Sequence, residues 1–132
     1  MTKEQLIAKA RAARKLAYVP YSKFKVGAAL LTKSGKVYVG ANVENASYPL
    51  CNCAERNALY HAMMNGEKKE NFVAMAVTGK TTGPISPCGA CRQVISELFP
   101  KDAPIYLTNL EDAFLETTIE QLLPFAFDDK DL

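Results

Sequence analysis

Residues 72–78 read Phe-Val-Ala-Met-Ala-Val-Thr, an unbroken apolar run of strand length. A strand of this kind is buried on both faces, so its sheet needs helices on either side. Working outward, a helix is predicted over about Cys53–Asn65, with Gly66 as its stop. On the other side the Gly/Pro-rich loop Gly79–Pro87 leads to a helix over about Cys88–Phe99, ended by Pro100. Farther upstream, Lys25–Leu31 and Lys36–Val43 both alternate, with Ser34-Gly35 between them as the tip of a hairpin. In the second strand Val37, Val39, Ala41 and Val43 face one way, and Tyr38, Gly40, Asn42 and Glu44 the other. Thr2 and Gln5 form a capping box for a first helix that places Leu6, Ala10, Ala13 and Ala17 on one face, with Pro20 ending it. Ile105–Thr108 and Ala113–Thr117 read as short strands, and Thr118–Leu123 as a last helical turn or two. The order α-β-β-α-β-α-β-β-α predicts one α/β domain over residues 1–132. Its architecture is three-layer α/β/α around a mixed sheet of about five strands.

At 132 residues, 48% hydrophobic and 23% charged, the chain has the balance of a folded domain rather than a disordered one. Its apolar runs are only a few residues long, against the ~20 of a membrane helix, so no membrane partner is expected. The opening MTKEQLIAKARAARK is charged throughout and lacks the apolar stretch of a secretory signal. A reducing cytoplasm is therefore the expected compartment. The formal net charge is +2, yet residues 1–40 carry a net +8 and residues 110–132 a net −6. With no RNA-binding signature beside it, this reads as a solvated helix face and as pairing between the ends or between subunits. Nucleic acid is not an expected partner.

Four cysteines stand at positions 51, 53, 88 and 91. Pro87-Cys88-Gly89-Ala90-Cys91 puts two thiols on one face of a helix start, where the helix dipole favours thiolate. Alone, this pair fits a dithiol redox couple, half of a zinc site, or two small buried residues. Cys53-Ala54-Glu55 adds a third thiol at another helix start and a carboxylate two residues later. Three protein ligands leave zinc its fourth position, as catalytic sites do, whereas a structural zinc is normally closed by four. Glu55 then lies beside the metal rather than on it, placed to move protons. The reading has the two helix N-termini facing one another across the sheet. Three thiolates on Zn²⁺ leave a net negative charge, and Arg56 is expected inside, donating to the sulfurs to withdraw it.

The pair C-A-E and P-C-x-x-C resembles the zinc nucleoside and nucleobase deaminases. Over essentially its whole length the chain resembles small bacterial cytidine deaminases of the Cys₃ class. The resembling segments are Tyr21–Leu30 (YSKFKVGAAL), Asn42–Ser47 (NVENAS), Cys53–Asn57 (CAERN), Pro87–Val94 (PCGACRQV) and Leu122–Phe125 (LLPF). The resemblance implies one zinc ion per chain on Cys53, Cys88 and Cys91, with Glu55 as the catalytic proton carrier. It implies that Phe24 stacks on a pyrimidine, that Asn42 and Glu44 bind the ribose, and that the Ala54 N–H meets a base carbonyl. It also implies a homotetramer in which Ala46, Tyr48 and Phe125 come from neighbouring subunits, and hydrolysis of cytidine and 2′-deoxycytidine in pyrimidine salvage. The C-A-E register selects Cys53, which leaves Cys51 as a small buried or loop residue. His61 lies more than two turns beyond Cys53 and takes a surface or packing role. Rival readings are a deaminase of another cytosine compound, a structural zinc protein and a dithiol redox protein.

Overall fold

The run at 72–78 is the middle of the sheet. A computed structural model describes all residues, Met1–Leu132. Its elements are α1 (Lys3–Arg14), β1 (Val26–Thr32), β2 (Val37–Ala41), α2 (Ala54–Met64), β3 (Phe72–Gly79), α3 (Gly89–Leu98), β4 (Ile105–Thr108), β5 (Phe114–Thr117) and α4 (Ile119–Leu122). Short 3₁₀ turns lie at Tyr48–Leu50, Lys69–Asn71 and Asp129–Asp131. The five strands order β2-β1-β3-β4-β5. β3 and β4 run parallel while the other neighbours are antiparallel, so the sheet is mixed as predicted. No helix is long and apolar enough to cross a membrane.

α1 packs on one face, where Leu6, Ile7 and Ala10 meet Ala29, Ala74 and Ala76. On the other face α2, α3 and α4 share a core with Ala28, Leu30, Met75, Val77, Ile105 and Leu107. The two cysteine-bearing helices are thus side by side on one face, not opposed across the sheet. α1 alone fills the opposite layer, seated so closely that a Cβ on Gly27 would stand 2.1 Å from the Ala10 carbonyl oxygen. α2 sits on β2 in the same manner: a Cβ on Gly40 would lie 2.3 Å from the Ala54 carbonyl oxygen and 2.4 Å from the Ala58 nitrogen.

The Thr2–Gln5 capping box forms, but α1 ends at Arg14, well before Pro20. Tyr18 instead pairs with the chain leaving β2, its N–H donating to the Asn42 carbonyl at 3.0 Å while the Glu44 N–H donates to its own carbonyl at 2.9 Å. These sheet-like bonds outcompete another helical turn and draw Ala17 off the helix. β2 likewise stops at Ala41 rather than Val43, because Val43 exchanges both backbone bonds with Asn52. That bridge brings the end of β2 beside the start of α2.

Candidate metal and catalytic site

Cys53 and Cys88 are the residues immediately preceding α2 and α3, both with extended backbone. Neither side chain caps its helix, so each sulfur is free to face the other. Cys91 lies in the first turn of α3 and is fully buried. The three sulfurs all lie within 4.8 Å of one another, with Cys53 and Cys88 3.9 Å apart. Sulfurs ~2.3 Å from a tetrahedral zinc stand about 3.8 Å apart, so the spacing fits that ion. The donor set fits as well: three soft thiols, no fourth ligand in the cluster. Cys53, Cys88 and Cys91 would hold one ion.

Electrostatics prepare the cluster for a cation. A hydrogen bond from Cys91 lowers the Cys53 thiol to about 5 against the opposing effect of burial, with further help from Arg56. Cys91 is pushed up by that same bond to Cys53, by burial and by the charge of Glu55. Arg56 turns toward the cluster: one terminal nitrogen donates to the Cys53 sulfur at 3.3 Å, and its Nε is buried without a partner. That bond raises the guanidinium further above its ordinary value.

Glu55 follows in the first turn of α2 and is only 5% exposed. Burial pushes its carboxyl up to about 7, with the Cys53 thiolate adding to the rise and Arg56 opposing it. A carboxyl that titrates near neutrality both accepts and returns a proton with little penalty.

Asn42 and Glu44 prove to be structural clasps on the segment that carries Phe24. The Asn42 Oδ1 accepts from the Val26 N–H at 2.8 Å, and its Nδ2 donates to the Phe24 carbonyl at 2.8 Å. The Glu44 carboxylate accepts from the backbone N–H groups of Tyr21 and Ser22, each at 3.1 Å, and from the Ser22 hydroxyl. Ser22 in turn accepts from the Phe24 N–H at 3.0 Å. The Ser22 hydroxyl and N–H hold the Glu44 carboxyl below its ordinary range, joined by the Tyr21 N–H and the charge of Lys23. Lys23 takes a left-handed backbone, φ 60°, to close this turn. Phe24 is left 39% exposed rather than in the core, with its ring near Gly79 at the end of β3. Ser22 was passed over in the sequence, although a serine two residues before the N–H it serves is a recognisable turn pattern. Arg92 was passed over too. Its guanidinium donates to the Pro87 carbonyl at 2.9 Å, the Ser86 hydroxyl at 2.8 Å and the Leu122 carbonyl at 2.6 Å, tying the Cys88 turn to the end of α4.

Ala54 is buried at the start of α2, adjacent to Cys53 and Glu55. Ala46 and Tyr48 lie on the exposed stretch between β2 and α2, where the Tyr48 ring meets Tyr21 edge-on at 6.3 Å. Phe125 is wholly exposed, with φ 57°. Cys51 is outside the metal group: its sulfur accepts from the Asn45 N–H at 3.3 Å, a loop clasp. His61 packs edge-on against Tyr38, also away from the cluster.

Three thiols within 4.8 Å of one another, close to a buried carboxyl on an α/β/α sheet, have the make-up of a zinc-dependent hydrolase. Residues 1–107 match the family described as the cytidine and deoxycytidylate deaminase zinc-binding region, and the chain belongs to that family. It is 53% identical over its full length to the cytidine deaminase of Sporosarcina psychrophila, covering 96% of that protein. It is equally identical to the cytidine deaminase of Halalkalibacterium halodurans, covering 98% of it. The crystal structure of cytidine deaminase from Burkholderia pseudomallei superposes with a TM-score of 0.94 at 56% identity, over 96% of this chain and all of that one. That of the Mycobacterium tuberculosis enzyme gives 0.81 at 35% identity, over 97% and 98%.

Proposed function

We propose that this protein hydrolyses cytidine and 2′-deoxycytidine to uridine and 2′-deoxyuridine with release of ammonia, in pyrimidine salvage in the cytoplasm. The observation that carries the reading is the Glu55 carboxyl buried beside the Cys53, Cys88 and Cys91 sulfurs. A zinc ion bound there supplies the Lewis acidity that readies water for attack at C4 of the base. Glu55 takes a proton from the attacking water, delivers one to ring N3, and passes one to the departing amine. Burial, which favours the protonated carboxyl, suits it to hold and return that proton. Arg56, donating to the Cys53 sulfur, draws off part of the thiolate charge. The Ala54 N–H at the start of α2 donates to the base carbonyl. The Phe24 ring stacks on the pyrimidine, and Asn42 and Glu44 receive the sugar hydroxyls while also clasping the Phe24 segment.

The working form is a homotetramer, with Ala46, Tyr48 and Phe125 lent to neighbouring sites. The exposure of the large side chains of Tyr48 (70%) and Phe125 (104%) supports this, since each leaves apolar surface for a neighbour to cover. Mixing zinc-loaded protein with cytidine and following loss of the cytidine absorbance tests the activity. Glu55→Gln should keep zinc and fold while losing ~10²–10⁴-fold in turnover. Retention within ~10-fold would contradict the proton-carrying role.

A further inference from the structure

We propose that Asn57 is a positioning residue for the reaction, setting the offset between the sugar-binding and metal-binding halves of the site; the inference rests on the proposed reading of that site. Asn57 stands early in α2, where asparagine is a poor helix former because its amide competes for backbone partners. Here the amide reaches off the helix in two directions. Its Nδ2 donates to the Ala41 carbonyl at 2.8 Å, and its Oδ1 accepts from the Asn52 Nδ2 at 2.6 Å.

Each partner abuts a functional residue. Ala41 ends β2 and is followed directly by Asn42, the start of the sugar-side pair. Asn52 directly precedes Cys53, and Glu55 lies two residues before Asn57. One amide therefore joins the strand that anchors the sugar to the helix start that carries a metal ligand and the proton carrier. At this junction the two backbones meet with no side chain between them, since a Cβ on Gly40 would stand 2.4 Å from the Ala58 nitrogen. Close backbone seating of that kind limits how near the helix can come but does not set its position along the strand. The directional bonds of Asn57 fix that position on the helix side, beside the Val43–Asn52 backbone bridge that joins the two segments ahead of α2.

The consequence is geometric. A nucleoside held by its sugar presents C4 to Glu55 correctly only if β2 and α2 keep their offset, and a misplacement of ~1 Å costs on the order of 10²-fold in rate. Asn57 touches neither sugar nor base, so its effect appears in positioning and not in chemistry.

The test uses zinc-loaded Asn57→Ala, Asn57→Asp and Asn52→Ala, each also combined with Glu44→Gln. Asn57→Asp keeps the acceptor for Asn52 but sets a carboxylate oxygen against the Ala41 carbonyl. Expected are wild-type zinc content, a fall of ~10–100-fold in kcat/KM on cytidine for both Asn57 variants, carried mainly by kcat, and a smaller fall for Asn52→Ala. With the sugar anchor already weakened by Glu44→Gln, Asn57→Ala should lose much less than it does alone, because the two act through one offset. Folded, zinc-loaded Asn57→Ala with kcat/KM within ~3-fold of wild type, or losses that simply multiply with Glu44→Gln, would overturn the proposal. Should Asn57→Ala fail to fold, Asn52→Ala carries the same comparison. A wild-type protein inert toward cytidine overturns the proposed function and this inference together; an active wild type with an indifferent Asn57→Ala overturns the inference alone.

Discussion

Gly40→Ala tests whether direct seating of α2 on β2 is what positions the site. The added methyl would lie 2.3 Å from the Ala54 carbonyl oxygen, 2.4 Å from the Ala58 nitrogen and 3.0 Å from the Ala58 Cα. All three atoms are backbone, so no rotamer change relieves the clash. Restoring an ordinary separation of about 3.4 Å lifts the first turn of α2 from the sheet by roughly 1 Å. That turn carries Glu55 and Arg56 and directly follows Cys53. Overpacking of this kind destabilises by about 1–3 kcal/mol. At roughly 4 °C per kcal/mol for a domain of this size, the midpoint should fall by about 4–12 °C. Turnover should fall further than stability, by on the order of 10²-fold, because the proton carrier moves while the sugar anchor does not. The assay is thermal unfolding alongside cytidine turnover per bound zinc. Gly83→Ala, whose added methyl meets nothing within 4 Å, is the matched control and should change neither. If Gly40→Ala matches that control in both readouts, the seating does not position the site.

Arg56→Gln should raise the Cys53 thiol pKa in the metal-free protein, since the guanidinium bond helps to lower it to about 5. Alkylation of Cys53 at pH 6, followed by peptide mapping, should slow in the variant; an unchanged rate would remove Arg56 from the thiolate's support. In metal-free protein the folded Glu55 carboxyl titrates at about 7 against an ordinary 4.5. The fold therefore retains a proton that the unfolded chain releases between those values. Stability from this group is intact below about pH 4.5, declines as pH rises to about 7, and is flat above, a loss of up to about 3 kcal/mol. Glu55→Gln abolishes that decline, so metal-free wild type should lose stability relative to the variant between pH 5 and pH 8. Parallel melting curves across that range would refute the buried-carboxyl account.

What the sequence disclosed and what it withheld divide along range of interaction. β3 was legible because a run apolar on both faces has few other destinations, and the cysteines because i, i+3 spacing at helix starts is local geometry. Glu55 followed from its place two residues beyond Cys53. The end of α1 was not legible: it is decided by Tyr18 meeting Val43, 25 positions later, rather than by Pro20. The shared face of α2 and α3 depends on α1 filling the opposite layer, which no periodicity reports. Asn42 and Glu44 sit on one face of the chain as read, yet nothing local foretold that their polar atoms clasp the Phe24 segment. Arg92 and Asn57 escaped for the same reason, since their partners lie on other segments of the chain.

X-ray absorption at the zinc edge, with metal quantified per chain, bears most directly on the central claim. Cys53, Cys88 and Cys91 around one ion predict one zinc per chain, three sulfurs at ~2.3 Å and a single lighter neighbour. Four sulfurs, which would mean that Cys51 closes the site, or a zinc shell without three sulfurs, would contradict it.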